Sequence, residues 1–286
     1  MPAATPDKEK RFIVSLRPKY KRLGADQVKI LEELTRSPKT IRKIWREAGV
    51  SRRRRRKKHK TKQNLREIKK QYKLFELTCE DTKDLKDIPE YWPQMKSKNL
   101  PKHQYTIREV SCGIQFLGYS NELSLTNSTL FTRIINHHLE KHRLLPDESV
   151  RQSDNGSEYI GSWNAKKPSS YTLAVESLKG QKHRTIPPRI YQLQGDVETV
   201  HNLIEQEFFE LETFRDREDF FRKALSYLAF FNLERPNSYK ENKSPWQLAK
   251  EKNPDIKKGA LILPPIDLDY ALSKATLGGN NVLTDP

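Results

Sequence analysis

Cysteine is nearly absent from this chain. Two cysteines in 286 residues cannot staple a fold of this size, so a disulfide-built extracellular scaffold is excluded. No run of 18 apolar residues occurs, which excludes a transmembrane helix. The first residues, MPAATPDKEKR, carry charge where a secretory signal needs an apolar stretch. No internal repeat organises the chain. Metal-finger spacing is missing as well: His59, His103 and His183 do not pair with Cys79 or Cys112 at the intervals a zinc site needs. Both cysteines sit in apolar, strand-like patterns and are expected in the core.

Positive charge is abundant instead, and it is unevenly placed. The chain holds 54 Lys and Arg against 37 Asp and Glu, a net of +17. Residues 1–77 carry 26 of the basic residues and 8 of the acidic ones, while the remainder is close to neutral. A basic head on a neutral body points to a polyanionic partner, most often nucleic acid. At 286 residues the chain is long for one ordinary domain and short for three, so two domains are expected, with a sizeable core.

Within the head, residues 37–49 read SPKTIRKIWREAG. Ser37 can cap a helix, Pro38 suits its first turn, and Gly49 suits its exit. Ile41, Ile44, Trp45 and Ala48 then share one apolar face, and Lys39, Arg42, Lys43 and Arg46 lie on the other side. A second helix is expected over 26–35, with Val28, Ile30, Leu31 and Leu34. A third is expected over 8–22, with Phe12, Ile13 and Leu16 facing inward. Two short helices joined by a tight turn, the second one basic, fit a helix-turn-helix unit. The run SRRRRRKKHKTK at 51–62 has nine Lys or Arg in twelve positions. It repels itself and is expected to be an extended arm. Candidate phosphate-contacting residues are therefore Lys39, Arg42, Lys43 and Arg46, followed by Arg52, Arg53, Arg54, Arg55, Arg56, Lys57 and Lys58.

The body has a different pattern. Residues 73–81 alternate as a strand with one buried face, placing Asp81 in phase with Phe75, Leu77 and Cys79 at the strand's end. A carboxylate there is costly to desolvate unless a metal or cation receives it. Residues 104–119 suggest two strands around Gly113, and 127–142 an amphipathic helix with Leu130, Ile134, Ile135 and Leu139 inward. A short strand at 149–153 runs into Asp154-Asn155-Gly156, a turn signal. Another strand follows at 183–188. A long helix starts near Asp196, with Val197, Val200, Ile204, Phe208 and Leu211 as its core stripe. Glu198 lies in its first turn and shares a face with His201, Asn202 and Glu205. Singly, each acid could be an ordinary turn or helix-end residue.

Together the segments DTKDL (81–85), SDNGSEYIG (153–161), HRTIPP (183–188), QGDVETVHNLIEQEFF (194–209) and FNLERPNSYKENKSPWQL (231–248) resemble the integrase catalytic core of transposases and retroviral-type integrases. The head resembles that of bacterial insertion-sequence transposases. The resemblance implies an α/β fold, an RNase H-like mixed sheet flanked by helices, preceded by an all-α helix-turn-helix head. It divides the chain into a head (1–50), a basic linker (51–72), a catalytic core (73–250) and a C-terminal segment (251–286) with no assigned role. It carries the catalytic, metal-binding acids onto Asp81, Asp154 and Glu198. Asp84, Asp87 and Asp196 are passed over, because Lys83 follows Asp81 by two residues and the pattern G-x-V-E-x-x-H at 195–201 selects Glu198. Glu158 is expected to orient the loop beside Asp154; for His201 the alternatives are a packed or solvent-facing position, or contact with DNA or support of the acid.

The implied activity is nicking of element ends and joining of 3′-hydroxyls to target DNA by in-line phosphoryl transfer. Two Mg²⁺ or Mn²⁺ ions would activate the attacking oxygen and stabilise the leaving one, and such hard ions prefer oxygen ligands. The implied partners are terminal-repeat and target DNA and further copies of the chain. The implied location is the bacterial cytoplasm, associated with the nucleoid and not with membrane. The alternatives are a non-catalytic helix-turn-helix DNA-binding protein, a decayed transposase, or a nuclease of the same fold. The sequence departs from the family in two places. A total of 43 residues separate Asp154 from Glu198, more than is usual, and the surplus falls in 161–182. That segment could lie over the active site and bind DNA through Lys166, Lys167, Lys179 and Lys182. The segment after Arg235-Pro236 also lacks the glycine often found there.

Overall fold

The structure, a computed structural model, describes residues 5–51, 65–162, 164–186 and 195–277. Three helices form the head: α1 (Asp7–Lys19), α2 (Ala25–Leu31) and α3 (Pro38–Glu47). The start of α3 follows from its sequence. The Ser37 hydroxyl accepts from the Thr40 N–H at 3.2 Å and Pro38 fills the first turn, while Gly49 leaves at φ +71°. Ile13, Leu16, Val28, Ile41, Ile44 and Trp45 form one apolar centre. Burial of such side chains is worth roughly 1.5–3 kcal/mol each. The Trp45 indole N–H donates to the Ile13 carbonyl at 2.9 Å, and the Arg17 guanidinium stacks 4.8 Å from its ring.

Three expectations for the head are corrected. Helix α2 stops at Leu31, because Glu33 takes φ +47° and the Leu34 N–H turns back to the Lys29 carbonyl. Six residues, 32–37, rather than a tight turn then lead to α3. Phe12 is 48% exposed, since turning Ile13 and Leu16 inward swings its neighbour to the flank. Ala48 is exposed as the C-cap of α3; the helix ends before that position rotates back inward. The head is docked on the body. Phe230 packs against the head's apolar centre, the Gln27 amide donates to the Pro236 carbonyl at 2.7 Å, and Arg22 pairs with Glu210.

Helix α4 (Leu65–Gln71) precedes a six-stranded sheet: β1 (Leu77–Asp84), β2 (His103–Glu109), β3 (Gln115–Ser120), β4 (Ser149–Ser153), β5 (Gln181–Thr185) and β6 (Ile266–Asp267). The order across the sheet is β5-β4-β1-β2-β3-β6. Strands β1, β2 and β3 form an antiparallel meander. Strands β4 and β5 run parallel to β1, and β6 runs parallel to β3. Between these strands lie α5 (Trp92–Lys98), α6 (Leu125–Lys141), α7 (Ser157–Ile160), α8 (Ser170–Glu176), α9 (Gly195–Ile204), α10 (Arg217–Leu233), α11 (Pro245–Lys252) and α12 (Leu268–Leu277). This is an RNase H-like mixed α/β sheet with helices on both faces. Among the described residues no helix is long and apolar enough to cross a membrane.

Two apolar layers flank the sheet. One joins Tyr105, Ile107 and Phe116 to Phe131, Ile135 and Leu139 of α6. The other joins Leu117 and Tyr119 to Val200 and Ile204 of α9 and Phe220 and Leu228 of α10. Strand β1 is therefore covered on both sides, and the expectation of one buried face over 73–81 is corrected. Residues 73–76 form a turn, with Phe75 at φ +59°, and Glu80 on the α6 side is 0% exposed. The stripe of α9 also ends early. The chain passes into a π-helical turn at Glu205–Phe209, which shifts the later residues and leaves Leu211 exposed.

Residues 251–277 complete the core. Ile256, Ala260, Leu261 and Leu268 pack with Phe116 and Phe131, and the Asn232 amide donates to the Leu261 carbonyl at 2.8 Å. The segment 161–182 is also built in. Tyr171, Ala174 and Val175 of α8 are buried, whereas Lys166, Lys167, Lys179 and Lys182 are exposed. At its end Gly180 holds φ +81° against the Asp147 carbonyl, where a Cβ would collide with backbone. Gly180→Ala is expected to destabilise the fold by roughly 2 kcal/mol or more, read as a lower urea midpoint at unchanged slope.

Candidate active site

The site forms where two strands part. Strand β1 pairs with β4 only from Leu77 to Cys79, opposite Val150 to Gln152. With β2 it continues to Asp84, and Asp81 lies opposite Thr106. Asp81 is thus inside its strand, not at the end as expected, because the β2 ladder outlasts the apolar alternation by three residues. It nevertheless stands two residues beyond the parallel ladder, where β4 has turned away.

Asp154 follows β4 directly. Its Oδ1 accepts from the Gly156 N–H at 2.8 Å, closing the expected turn. The Asn155 amide donates to the Ile186 carbonyl at 2.7 Å and ties the loop to the end of β5. Glu158, in α7, folds back so that its Oε1 accepts from the Thr82 hydroxyl at 3.0 Å. A Cβ on Gly156 would run into that carboxylate.

Glu198 lies exposed in the first turn of α9. Its competitor Asp196 is engaged by Lys69 of α4 at 2.6 Å. One turn after Glu198, His201 is only 7% exposed. Its Nε2 is 3.0 Å from the Thr106 hydroxyl and its Nδ1 is 3.7 Å from Asp81 Oδ2. Another turn on, Glu205 pairs with Lys83 at 2.7 Å. One face of α9 therefore runs along β1, and His201 is packed between Thr106 and Asp81.

Electrostatics tie these groups together. Burial pushes the Asp81 carboxyl up to about 7. The Asp154 charge adds the next largest effect, with Glu158 and Glu198 contributing and a hydrogen bond from the Thr82 backbone opposing. Burial, with Lys83 nearby, holds His201 down to about 3. Its imidazole is therefore neutral, and its contact with Asp81 is not an ion pair. Among the described residues no group of three or more His, Cys, Asp or Glu side chains is gathered tightly enough to hold a metal ion as arranged. The donor chemistry still fits a hard divalent cation: all the acids are oxygen donors, and the charges acting most strongly on half-buried Asp81 are those of like-signed carboxylates.

Other features escaped the sequence reading. Glu80 Oε2 accepts from the Tyr171 and Thr132 hydroxyls at 2.9 and 3.1 Å, with Arg151 Nη1 at 4.0 Å. Burial pushes the Glu80 carboxyl up to about 7, with Arg151 opposing. His183 spans the Ser153 and Thr172 hydroxyls at 2.9 Å each. The only signal for Glu80 was its position one residue out of phase with the apolar face. The segment 231–248 is anchored to the sheet and to the π-helical turn. Asn232 brackets Gln115 through both of its backbone groups, Arg235 grips Glu207 with two bonds of 2.6 Å, and Lys240 donates to the Val110 carbonyl at 2.8 Å. Both cysteines are buried thiols, pushed up to about 12 chiefly by burial.

On the head, Lys39, Arg42, Lys43 and Arg46 all lie exposed on α3. Arg42 pairs with Asp26 at 2.8 Å and Lys43 with Glu47 at 3.8 Å. The run Arg52–Lys58 lies outside the described residues.

No protein-family model matches this chain, and no curated protein matches it. Among solved structures it is similar to a chain of the simian T-cell lymphotropic virus intasome in complex with PP2A regulatory subunit B56 gamma. There the identity is 14%, over 83% of this chain and 74% of that one, with a TM-score of 0.46. It is similar to the catalytic core domain of BIV integrase, with 16% identity over 62% of this chain and 95% of that one and a TM-score of 0.40. It is similar as well to the HTLV-2 integrase catalytic core domain in complex with magnesium, with 13% identity over 61% and 96% and a TM-score of 0.41.

Proposed function

We propose that this protein is a DNA transposase of the bacterial insertion-sequence kind, which nicks element ends and joins their 3′-hydroxyls to target DNA. The observation that carries this reading is the setting of Asp81 on β1, just past the last pair of β1 and β4, where Asp154 after β4 and, to a smaller extent, Glu198 on α9 oppose its charge. Asp81, Asp154 and Glu198 would hold divalent ions, which when bound supply activation of the attacking oxygen and stabilisation of the leaving one. The chain's own residues do the positioning. His201 packs between Thr106 and Asp81, Asn155 anchors the Asp154 loop to Ile186, and Lys83 holds the π-helical turn after α9 to β1 through Glu205. The head contributes affinity through phosphate contacts from the exposed basic side of α3 and from the run at 52–58, which makes binding sensitive to salt. Further copies of the chain would pair two DNA ends in the bacterial cytoplasm.

The test is nicking and strand transfer of DNA carrying the ends that flank this protein's own gene, with Mg²⁺. Glu198→Gln is expected to lose at least ~10³-fold in both reactions, about 4 kcal/mol of transition-state stabilisation, while binding the same DNA as the wild type. Binding without chemistry in the wild type would favour a DNA-binding regulator instead. For the head, a triple charge reversal of Arg42, Lys43 and Arg46 to Glu is expected to weaken end binding by at least tenfold and to flatten its salt dependence. An unchanged salt slope in a gel-shift titration would remove α3 from the interface.

A further inference from the structure

Asp81 and Asp154 lie past the end of the ladder that joins β1 to β4. Their strands are paired only as far as Cys79 and Gln152, and each carboxylate lies beyond that point. A gap is thus left that no bond of this ladder spans. A side-chain bond bridges it: the Thr82 hydroxyl, next to Asp81, donates to Glu158 Oε1 at 3.0 Å. Thr82 is β-branched, so its χ1 is restricted and its hydroxyl is held in place. Glu158 is only 9% exposed and can fold back because Gly156 has no side chain in its path. The loop is fastened again at Asn155 to β5. The Asp154 turn is therefore held between β1 and β5.

We propose that Thr82 and Glu158 form a strap that sets the spacing between the Asp81 and Asp154 carboxylates, with Glu158 a positioning residue and not a metal ligand. This rests on the metal-dependent reading above. One oxygen of Glu158 is used by Thr82 and the other lies over Gly156. The strap needs an acceptor at 158 and a hydroxyl at 82. It does not need a negative charge at 158.

That difference separates a strap from a ligand. The full chain would be compared with Thr82→Val, Thr82→Ser, Glu158→Gln, Glu158→Ala and the double variant Thr82→Val/Glu158→Ala. Two readouts are taken: Mn²⁺ affinity by calorimetry, and hydrogen exchange of the Tyr159 and Ile160 amides, which bond to the Gly156 carbonyl, in the absence of metal. Thr82→Val and Glu158→Ala are each expected to weaken Mn²⁺ binding by about 10- to 100-fold and to speed exchange at both amides. Thr82→Ser and Glu158→Gln should stay within about threefold of wild type, and the double variant should be no worse than either single one, as for two halves of one bond. Glu158→Gln as damaging as Glu158→Ala, with Thr82→Val near wild type, would make Glu158 a ligand and overturn the proposal. Unchanged exchange in Thr82→Val would also overturn it. Exchange that responds as expected in a protein that takes up no Mn²⁺ would support the strap and sink the metal-dependent reading instead.

Discussion

Asp81→Asn is expected to make the metal-free protein more stable at pH 8 while removing its Mg²⁺-dependent chemistry. Asp81 ionises near 4 in an unfolded chain and at about 7 in the folded one, where burial and then Asp154 oppose its charge. The folded state therefore keeps a proton that the unfolded state has already released. Stability is full below about pH 4, is lost as pH rises towards 7, and stays low above it. The gap corresponds to an upper bound of about 4 kcal/mol at 1.36 kcal/mol per pH unit. Asparagine carries no charge and escapes the loss. Urea unfolding with EDTA should show a gain of about 2–4 kcal/mol for Asp81→Asn at pH 8 and almost none at pH 4. A variant less stable than wild type at pH 8 would refute a repelled, half-buried acid at this position. The same change should cost at least ~10³-fold in nicking and joining, because the group that raises the free energy of the empty site is also a proposed ligand of the ion. Gain of stability with loss of activity is the mark of a site whose charge is kept for a ligand.

Arg235→Ala is expected to destabilise the protein by about 3–5 kcal/mol, the usual consequence of leaving a buried charge without its partner. Arg235 and Glu207 are almost fully buried and joined by two bonds of 2.6 Å, and the Tyr227 hydroxyl is 3.3 Å from the same carboxylate. Glu207 sits in the π-helical turn that follows α9. Losing Arg235 thus loosens the end of the helix that carries Glu198 at its start. The double variant Arg235→Ala/Glu207→Gln should recover much of the loss, since it removes both charges. Chemical denaturation of the four proteins completes the cycle. Additive effects would show that the pair is not coupled.

Much of the site was legible because its signals are local. The strand at 149–153 and the turn at Asp154-Asn155-Gly156 are set by neighbours within a few residues, as are the Ser37 cap and the bend at Gly113. The fold class came from the order of motifs, which survives errors in their edges. Strand β1 runs past its expected end because pairing with β2, 19 to 23 residues later, carries polar Thr82, Lys83 and Asp84 into the ladder. Phase along β1 could show that Glu80 points away from Asp81, but not that α6 and α8 cover that side. The bond from Thr82 to Glu158 spans 76 positions and leaves no periodic trace. Nor does the closing of the core by residues 256–268, which depends on where the sheet edge lies.

The position of β6 bears on how the protein comes into being. The sheet's last strand pairs Gly118 and Tyr119 with Ile266 and Asp267, and Leu268 packs on the layer built by Phe116 and Phe131. During synthesis the meander of β1, β2 and β3 emerges long before its edge partner, and domains generally fold as units once their chain is available. Until residue 268 has left the ribosome, the edge of β3 stays unpaired and part of the apolar layer stays open to water, a state prone to pairing with other chains. Nascent chains in a crowded polysome are thus the stage most exposed to aggregation, and the yield of active protein should depend on chaperones that bind the chain before residues 266–268 are made.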